Sequence, residues 1–226
     1  MQEQRCPWCG TDPIYIAYHD DEWGVPEWDA RVLWEKLILD GFQAGLSWIT
    51  ILKKRDSFRA AFAGFAPETI AHWGEPEVAR LLADPGIVRH RGKIEGTIRN
   101  ARAYLAISER QNFSDHLWDF MDGQARQNRF TAGQIPTRTA LSETISKSLK
   151  QHGFTFCGPT IVYAFMQAVG MVNDHLVTCP CHDRVSAAPD PVNWVQSQQI
   201  TQASPGQKPA GCELSSGSPD QKRHAT

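Results

Sequence analysis

Four side chains of the kind that hold a tetrahedral metal ion stand near the two ends of the folded part of the sequence. Cys6 and His19 lie thirteen residues apart, and His175 and Cys179 four apart. Thiolates and neutral imidazoles suit Zn²⁺, and four of them close its coordination shell, leaving no position for a reacting water. Such a site is structural: it ties together segments more than 150 residues apart, so that metal-binding free energy becomes folding free energy. The i, i+4 spacing of His175 and Cys179 predicts that they share a helical face. Other readings remain open on spacing alone. Cys6, Cys9, Cys179 and Cys181 would make a four-thiolate site, the Cys-Pro-Trp-Cys run at 6–9 has the form of a redox pair, and a metal-free protein would simply bury the cysteines.

Two further segments combine aromatic rings with carboxylates: YIAYHDDEWGVP at 15–26 and LDGFQAGLSWITILKKR at 39–55. A nucleobase flipped out of a duplex needs that mixture, flat rings against its faces and a few fixed polar groups at its edge. Packing in a helical core would use the same tryptophans and tyrosines. A third segment, EVARLLADPGIVRHRGKIEGTIRNARAYL at 77–105, reads as an amphipathic helix, a turn containing Pro85 and Gly86, and a second helix starting near Lys93. In this helix-hairpin-helix, Gly86 gives the turn conformational freedom and the N–H groups opening the second helix face a phosphate. Arg89, His90, Arg91, Lys93, Arg99 and Arg102 surround it, opposed between 89 and 102 only by Glu95. Lys53, Lys54 and Arg55 form a second basic cluster that also complements a helix dipole. Contacts of this type hold the backbone of DNA without reading its sequence.

The elements that must position these groups are helices. Segments 29–40, 44–62, 67–72, 76–83, 94–110, 114–121, 139–152 and 160–170 show helical spacing or composition, and no stretch alternates with period two for long enough to build a sheet, so the fold class is all-α. Asp29 is placed to cap the first of these helices and Gly41 to follow its last turn. With 226 residues, 41% of them hydrophobic, the chain divides into a domain over 1–184 and a Ser-, Gln-, Pro- and Gly-rich tail over 185–226, whose composition predicts disorder. The 23 Lys and Arg against 25 Asp and Glu give no global signature of a nucleic-acid binder, so any DNA-binding surface is local. The start lacks the pattern of a secretory signal and no apolar run is long enough to span a bilayer, which together predict a cytoplasmic protein with no membrane partner. Reduced cysteines in that compartment favour metal over disulfides.

The sequence resembles the bacterial 3-methyladenine DNA glycosylase I enzymes. The match runs from Arg5 to about Cys181, through RCPW, DPIYIAYHDDEWGVP, QAGLSWITILKKR, GIVRHRGKI, NARAYL, FMQA and VNDH in order. The resemblance implies a helix-hairpin-helix domain that hydrolyses the N-glycosidic bond of N3-methyladenine in double-stranded DNA, leaving an abasic site without strand cleavage, and that works as a monomer. It selects among the metal readings one structural zinc on Cys6, His19, His175 and Cys179. It places the base pocket on Tyr15, Tyr18, Trp23, Asp40 and Trp48, with Asp40, Tyr18 and Trp48 carrying the chemistry. Gly45 and Leu46 enter the gap in the DNA stack, and Gly86, Arg89, Arg91 and Lys93 hold the backbone. Asp40 stands where the family has a glutamate, and Phe42 and Pro159 replace polar residues. The competing expectation is a DNA-binding relative that has lost catalysis through these changes. Phe42 is expected to fill the volume of the missing methylene, and Asp115 and Lys93 are the nearest candidates for a catalytic aspartate and a Schiff-base lysine, neither expected to act so.

Overall fold

The computed structural model describes residues 4–187; the tail expectation for 185–226 lies almost wholly outside them. A 3-10 turn at Pro7–Cys9 leads into α1 (Pro13–Asp21) and then α2 (Ala30–Gln43), α3 (Trp48–Leu52), α4 (Arg55–Ala61), α5 (Pro67–Ile70), α6 (Glu75–Ala83) and α7 (Arg91–Ser108). The second half holds α8 (Phe113–Trp118), α9 (Ala140–Gln151), α10 (Pro159–Ala168) and α11 (Pro180–Ser186). Two strands of two residues, β1 (Arg126–Gln127) and β2 (Val172–Asn173), pair in parallel, Arg126 opposite Val172. The protein is therefore mostly helical, with a strand pair too short to leave any alternation in the sequence. No helix among the described residues is long and apolar enough to cross a membrane.

Local chemistry sets the helix starts. The Asp29 carboxylate accepts from the Arg31 and Val32 amides at 2.7 and 3.0 Å, and Asp12 and Asn112 cap α1 and α8 in the same manner. Thr139 and Ser142 close a reciprocal box at α9, and prolines open α1, α5, α10 and α11, where a missing N–H costs nothing. Pro159, at the first position of α10, has this role.

Helix α2 forms the spine of the core. Its Leu33, Trp34, Leu37, Ile38 and Phe42 are buried with Ile94, Ile98 and Ala101 of α7 and Val162, Phe165 and Met166 of α10. Gly41 does not end α2; it lies inside the helix, where a Cβ would meet the Phe156 carbonyl oxygen at 3.3 Å. The single helix expected over 44–62 is two helices, preceded by a turn in which Gly45 has φ +81°. Helix α1 was not expected: it has no continuous apolar stripe, and only Tyr18 and His19 are buried. Helix α11 runs to Ser186, past the boundary drawn at 184.

Candidate active site and metal-ligand cluster

Cys6, His19, His175 and Cys179 are all buried and present ligand atoms within 4.8 Å of one another. Cys6 Sγ and Cys179 Sγ each lie 3.7 Å from His175 Nδ1, and Cys179 Sγ lies 3.7 Å from His19 Nε2. Zn–S and Zn–N bonds of about 2.3 and 2.0–2.1 Å in a tetrahedron imply S···N edges of about 3.6 Å, so the spacing fits a four-coordinate ion. The outer nitrogens are also occupied. His175 Nε2 donates to the Trp23 carbonyl at 2.9 Å, and His19 Nδ1 meets Asp20 Oδ1 at 2.8 Å, with Asp20 held in turn by Arg5. Partners of this kind fix a ligand imidazole in one tautomer and orientation. The Leu176 amide donates to Cys6 Sγ at 3.4 Å, and a hydrogen bond from Cys6, with help from the two histidines, holds the Cys179 thiol well below its ordinary value. The helical face expected for His175 and Cys179 is absent. Both lie in the connection after β2, where a turn closed by the Cys179 amide on the Leu176 carbonyl converges them, and Cys179 caps α11.

Beside this cluster opens a cavity of about 250 Å³, lined by Trp8, Tyr15, Tyr18, Trp23, Asp40, Gln43, Trp48, Ile135, Ala164, Gln167 and Ala168. All five residues expected at a base pocket are therefore brought together, from α1, the turn after it, α2 and α3. Trp8 packs edge-on to Tyr15 and Trp23 with ring centroids 5.0 and 4.9 Å apart, and Tyr18 tilts against Trp48 at 5.3 Å. Trp23 also stands edge-on to His175 at 4.7 Å, so the Cys/His cluster supports one wall of the cavity.

Within this aromatic shell Trp8 Nε1, Trp48 Nε1 and Asp40 Oδ2 are buried without a hydrogen-bond partner among the described residues. Unpartnered buried polar atoms cost free energy and are rare in native proteins, and here all three line one cavity. Burial pushes the Asp40 carboxyl up to about 8, against a weaker downward pull from Lys36 one turn earlier. Burial also pushes the Tyr18 hydroxyl well above its usual range, so it stays protonated. Phe42 does not fill space beside Asp40: its ring packs on Phe58 and Phe62 at 4.8 and 5.6 Å, on the core side of α2.

The hairpin segment forms α6, a connection over 84–90, and α7, which starts at Arg91 with His90 as its cap. Three expectations are corrected here. Lys93 does not face solvent; it is buried, and its Nζ donates to the carbonyls of Phe42 and Ala44 at 2.8 and 2.6 Å, closing the C-terminus of α2. The basic stretch is opposed by more than Glu95, because Glu75 of α6 pairs with Arg91 at 2.9 Å. Gly86 has no positive φ; glycine is needed because a Cβ would lie 2.9 Å from the Asp84 carboxylate and 3.1 Å from Ser57. Arg102 donates to the Ala71 carbonyl, and Lys53, Lys54 and Arg55 are engaged with Asp12, the turn carbonyls of Pro85 and Gly86, and Glu22. Arg89 and Arg99 are exposed and form no ion pair among the described residues. Leu46, next to Gly45, is 43% exposed beside the cavity wall formed by Gln43 and Trp48. Asp115 is exposed on α8 and does not line the cavity.

Residues 8–182 match the model of the methyladenine glycosylase family. The chain belongs to that family. DNA-3-methyladenine glycosylase 1 of Escherichia coli (strain K12) is 52% identical over 181 residues, 79% of this chain and 97% of that protein. The DNA-3-methyladenine glycosylase of Haemophilus influenzae (strain ATCC 51907 / DSM 11121 / KW20 / Rd) is 49% identical over 179 residues, 78% and 97% of the two chains. A crystal structure of 3-methyladenine DNA glycosylase I superposes with a TM-score of 0.78 at 54% identity, covering 79% of this chain and all of that one. A Tyr→Phe variant of such an enzyme, crystallised in complex with 3-methyladenine, gives 0.76 at 38% identity over 80% of this chain and 98% of that one.

Trp8, Gln43, Ile135, Ala164, Gln167 and Ala168 line the cavity of this glycosylase but were not expected there. The RCPW motif contains Trp8 and FMQA contains Gln167 and Ala168, so the stretches were visible while the direction of their side chains was not.

Proposed function

We propose that this DNA-3-methyladenine glycosylase holds an N3-methylated adenine, flipped from duplex DNA, in the cavity between Trp8, Tyr18, Asp40 and Trp48, and that it works as a cytoplasmic monomer. The observation that carries the assignment is the set of three unpartnered polar atoms inside an otherwise aromatic cavity. A purine edge supplies acceptors for two indole N–H groups and an amino group for a carboxyl oxygen.

N3-methylation leaves the glycosylated base cationic. The C1′–N9 bond then breaks with its electron pair moving to the base, which leaves neutral; a water oxygen bonds to C1′ and one proton is released to solvent. No acid is needed at the leaving group. The work left to the protein is to hold a cation: ring faces attract it by about 2 kcal/mol or more when desolvated, and Asp40, costly to ionise because it is buried, ionises more readily beside a positive base. Among the described residues no lysine amine is free at the cavity to attack C1′, since Lys93 is tied to two carbonyls and Lys36 to the Ala168 carbonyl at 3.1 Å. Hydrolysis without strand cleavage follows.

Around this centre we assign one zinc ion to Cys6, His19, His175 and Cys179. Four protein ligands and buried surroundings suit a metal that stabilises the fold and the Trp23 wall, and leave it no chemistry. Leu46 enters the gap left by the flipped base, and Arg89, Arg91 and the amides opening α7 hold the backbone, with Arg91 exchanging Glu75 for a phosphate. Lys93 acts from beneath, by fixing the end of α2 and the Gly45 turn.

Single-turnover excision from a duplex carrying one N3-methyladenine tests the assignment. Asp40→Asn and Trp48→Ala are expected to slow release at least tenfold with duplex affinity unchanged, the loss expected from removing one charge-assisted or stacking contact. Wild-type rates in both variants would remove the cavity from the reaction.

A further inference from the structure

Among the polar side chains that line the cavity, Gln167 has its orientation dictated from outside. Gln167 sits on α10 with its Nε2 donating to Asp174 Oδ2 at 2.7 Å. Asp174 is fully buried, and the hydroxyl of Tyr163, one turn before Gln167 on the same helix, donates to the same oxygen at 2.7 Å. Asn128 Nδ2 donates to Asp174 Oδ1 at 2.7 Å. Burial and the Asp174 carboxylate both push the Tyr163 hydroxyl up, so it remains a donor.

A buried carboxylate surrounded by donors can only accept. It therefore admits Gln167 through the NH₂ end alone, and the amide oxygen is turned away from Asp174. Gln167 lines the cavity, and its Oε1 accepts no hydrogen bond among the described residues. A half-buried amide with its donor end anchored presents a fixed acceptor.

Resting on the reading of the cavity as a base pocket, we propose that Gln167 is a specificity-determining residue: its Oε1 accepts from the exocyclic amino group of the methylated adenine and opposes a base with a carbonyl oxygen at that position. Asp174 is the positioning residue that decides which end of the amide faces the base. Two carbonyl oxygens brought together repel, and an acceptor left unpaired in a desolvated pocket discriminates more strongly than shape does.

The test is titration of the full-length protein with free 3-methyladenine and with 3-methylhypoxanthine, which carries a carbonyl oxygen in place of the amino group, followed by quenching of tryptophan fluorescence. Wild type is expected to prefer 3-methyladenine. Gln167→Met, close in shape and apolar, is expected to lower affinity for 3-methyladenine about fivefold, the worth of one neutral hydrogen bond, without weakening 3-methylhypoxanthine. A packing role would weaken both alike and leave the ratio unchanged, which overturns the proposal. Asp174→Ala, which frees the amide to rotate, is expected to lower the ratio in the wild-type background and not in Gln167→Met; an equal drop in both backgrounds would refute the positioning role. If Asp174→Ala does not fold, Gln167→Met on its half-buried site decides the matter. Failure of wild type to bind either base would instead reject the base-pocket reading.

Discussion

Asp40→Asn separates what Asp40 costs the fold from what it gives the site. In the folded protein the carboxyl is pushed up to about 8 by burial, against an ordinary aspartate value of 3.8. Between those values the unfolded chain has released the proton and the folded chain keeps it. Unfolding thus releases a proton, and the stability this group contributes falls as pH rises, reaching its floor once the pH passes about 8. The full separation corresponds to on the order of 5 kcal/mol. For a domain of this size about 1 kcal/mol moves Tm by roughly 2–4 °C. Asn cannot ionise, and every other titrating group is common to the two proteins. Thermal melts from pH 5 to pH 9 should therefore show the difference in Tm, variant minus wild type, growing by roughly 10 °C in favour of Asp40→Asn. A difference that does not vary with pH would refute the burial argument, whatever its sign.

Three further outcomes follow from the same geometry. Elemental analysis is expected to find one zinc per chain, and His175→Ala to lose it with a clear fall in Tm: Cys6 and His175 are 169 residues apart, and releasing a cross-link of that span costs about 5 kcal/mol in the chain-entropy picture. Full zinc retention with unchanged Tm would reject the ligand set. Arg89→Ala is expected to weaken binding to all duplexes alike and reduce its salt dependence, whereas Lys93→Ala, which strands the Phe42 and Ala44 carbonyls, should lower Tm by several degrees; the reverse pattern would restore Lys93 as a phosphate contact. We propose, from the composition of the tail, that a chain ending at Ala187 retains excision activity and Tm; loss of either would assign the tail a place on the domain.

Ligand chemistry brought Cys6, His19, His175 and Cys179 forward as one metal reading among several, and the family resemblance selected it, without knowledge of the loop that joins the last two. Local caps were legible directly: Asp29 needs only its neighbours. Side-chain direction was not. Lys93 stands in a basic run and is nonetheless turned inward, because α7 packs beneath the end of α2 and offers it two carbonyls. Trp8 and Gln167 reach the cavity from segments almost 160 residues apart, a meeting that depends on tertiary packing and has no local signature. Phe42, next but one to Asp40, is separated from it by helical geometry, which turns its ring towards Phe58. The aspartate in place of the family glutamate was read from resemblance; its burial and its missing partner required the structure.

Base release tests the central claim most directly. Full-length protein incubated with DNA treated with a methylating agent is expected to liberate free 3-methyladenine, resolved by chromatography, while the strands remain intact until alkali is added. Spontaneous loss is measured on the same DNA without protein, and wild type should exceed it clearly. No 3-methyladenine above that background would contradict the account and favour a protein that binds alkylated DNA without cutting the glycosidic bond.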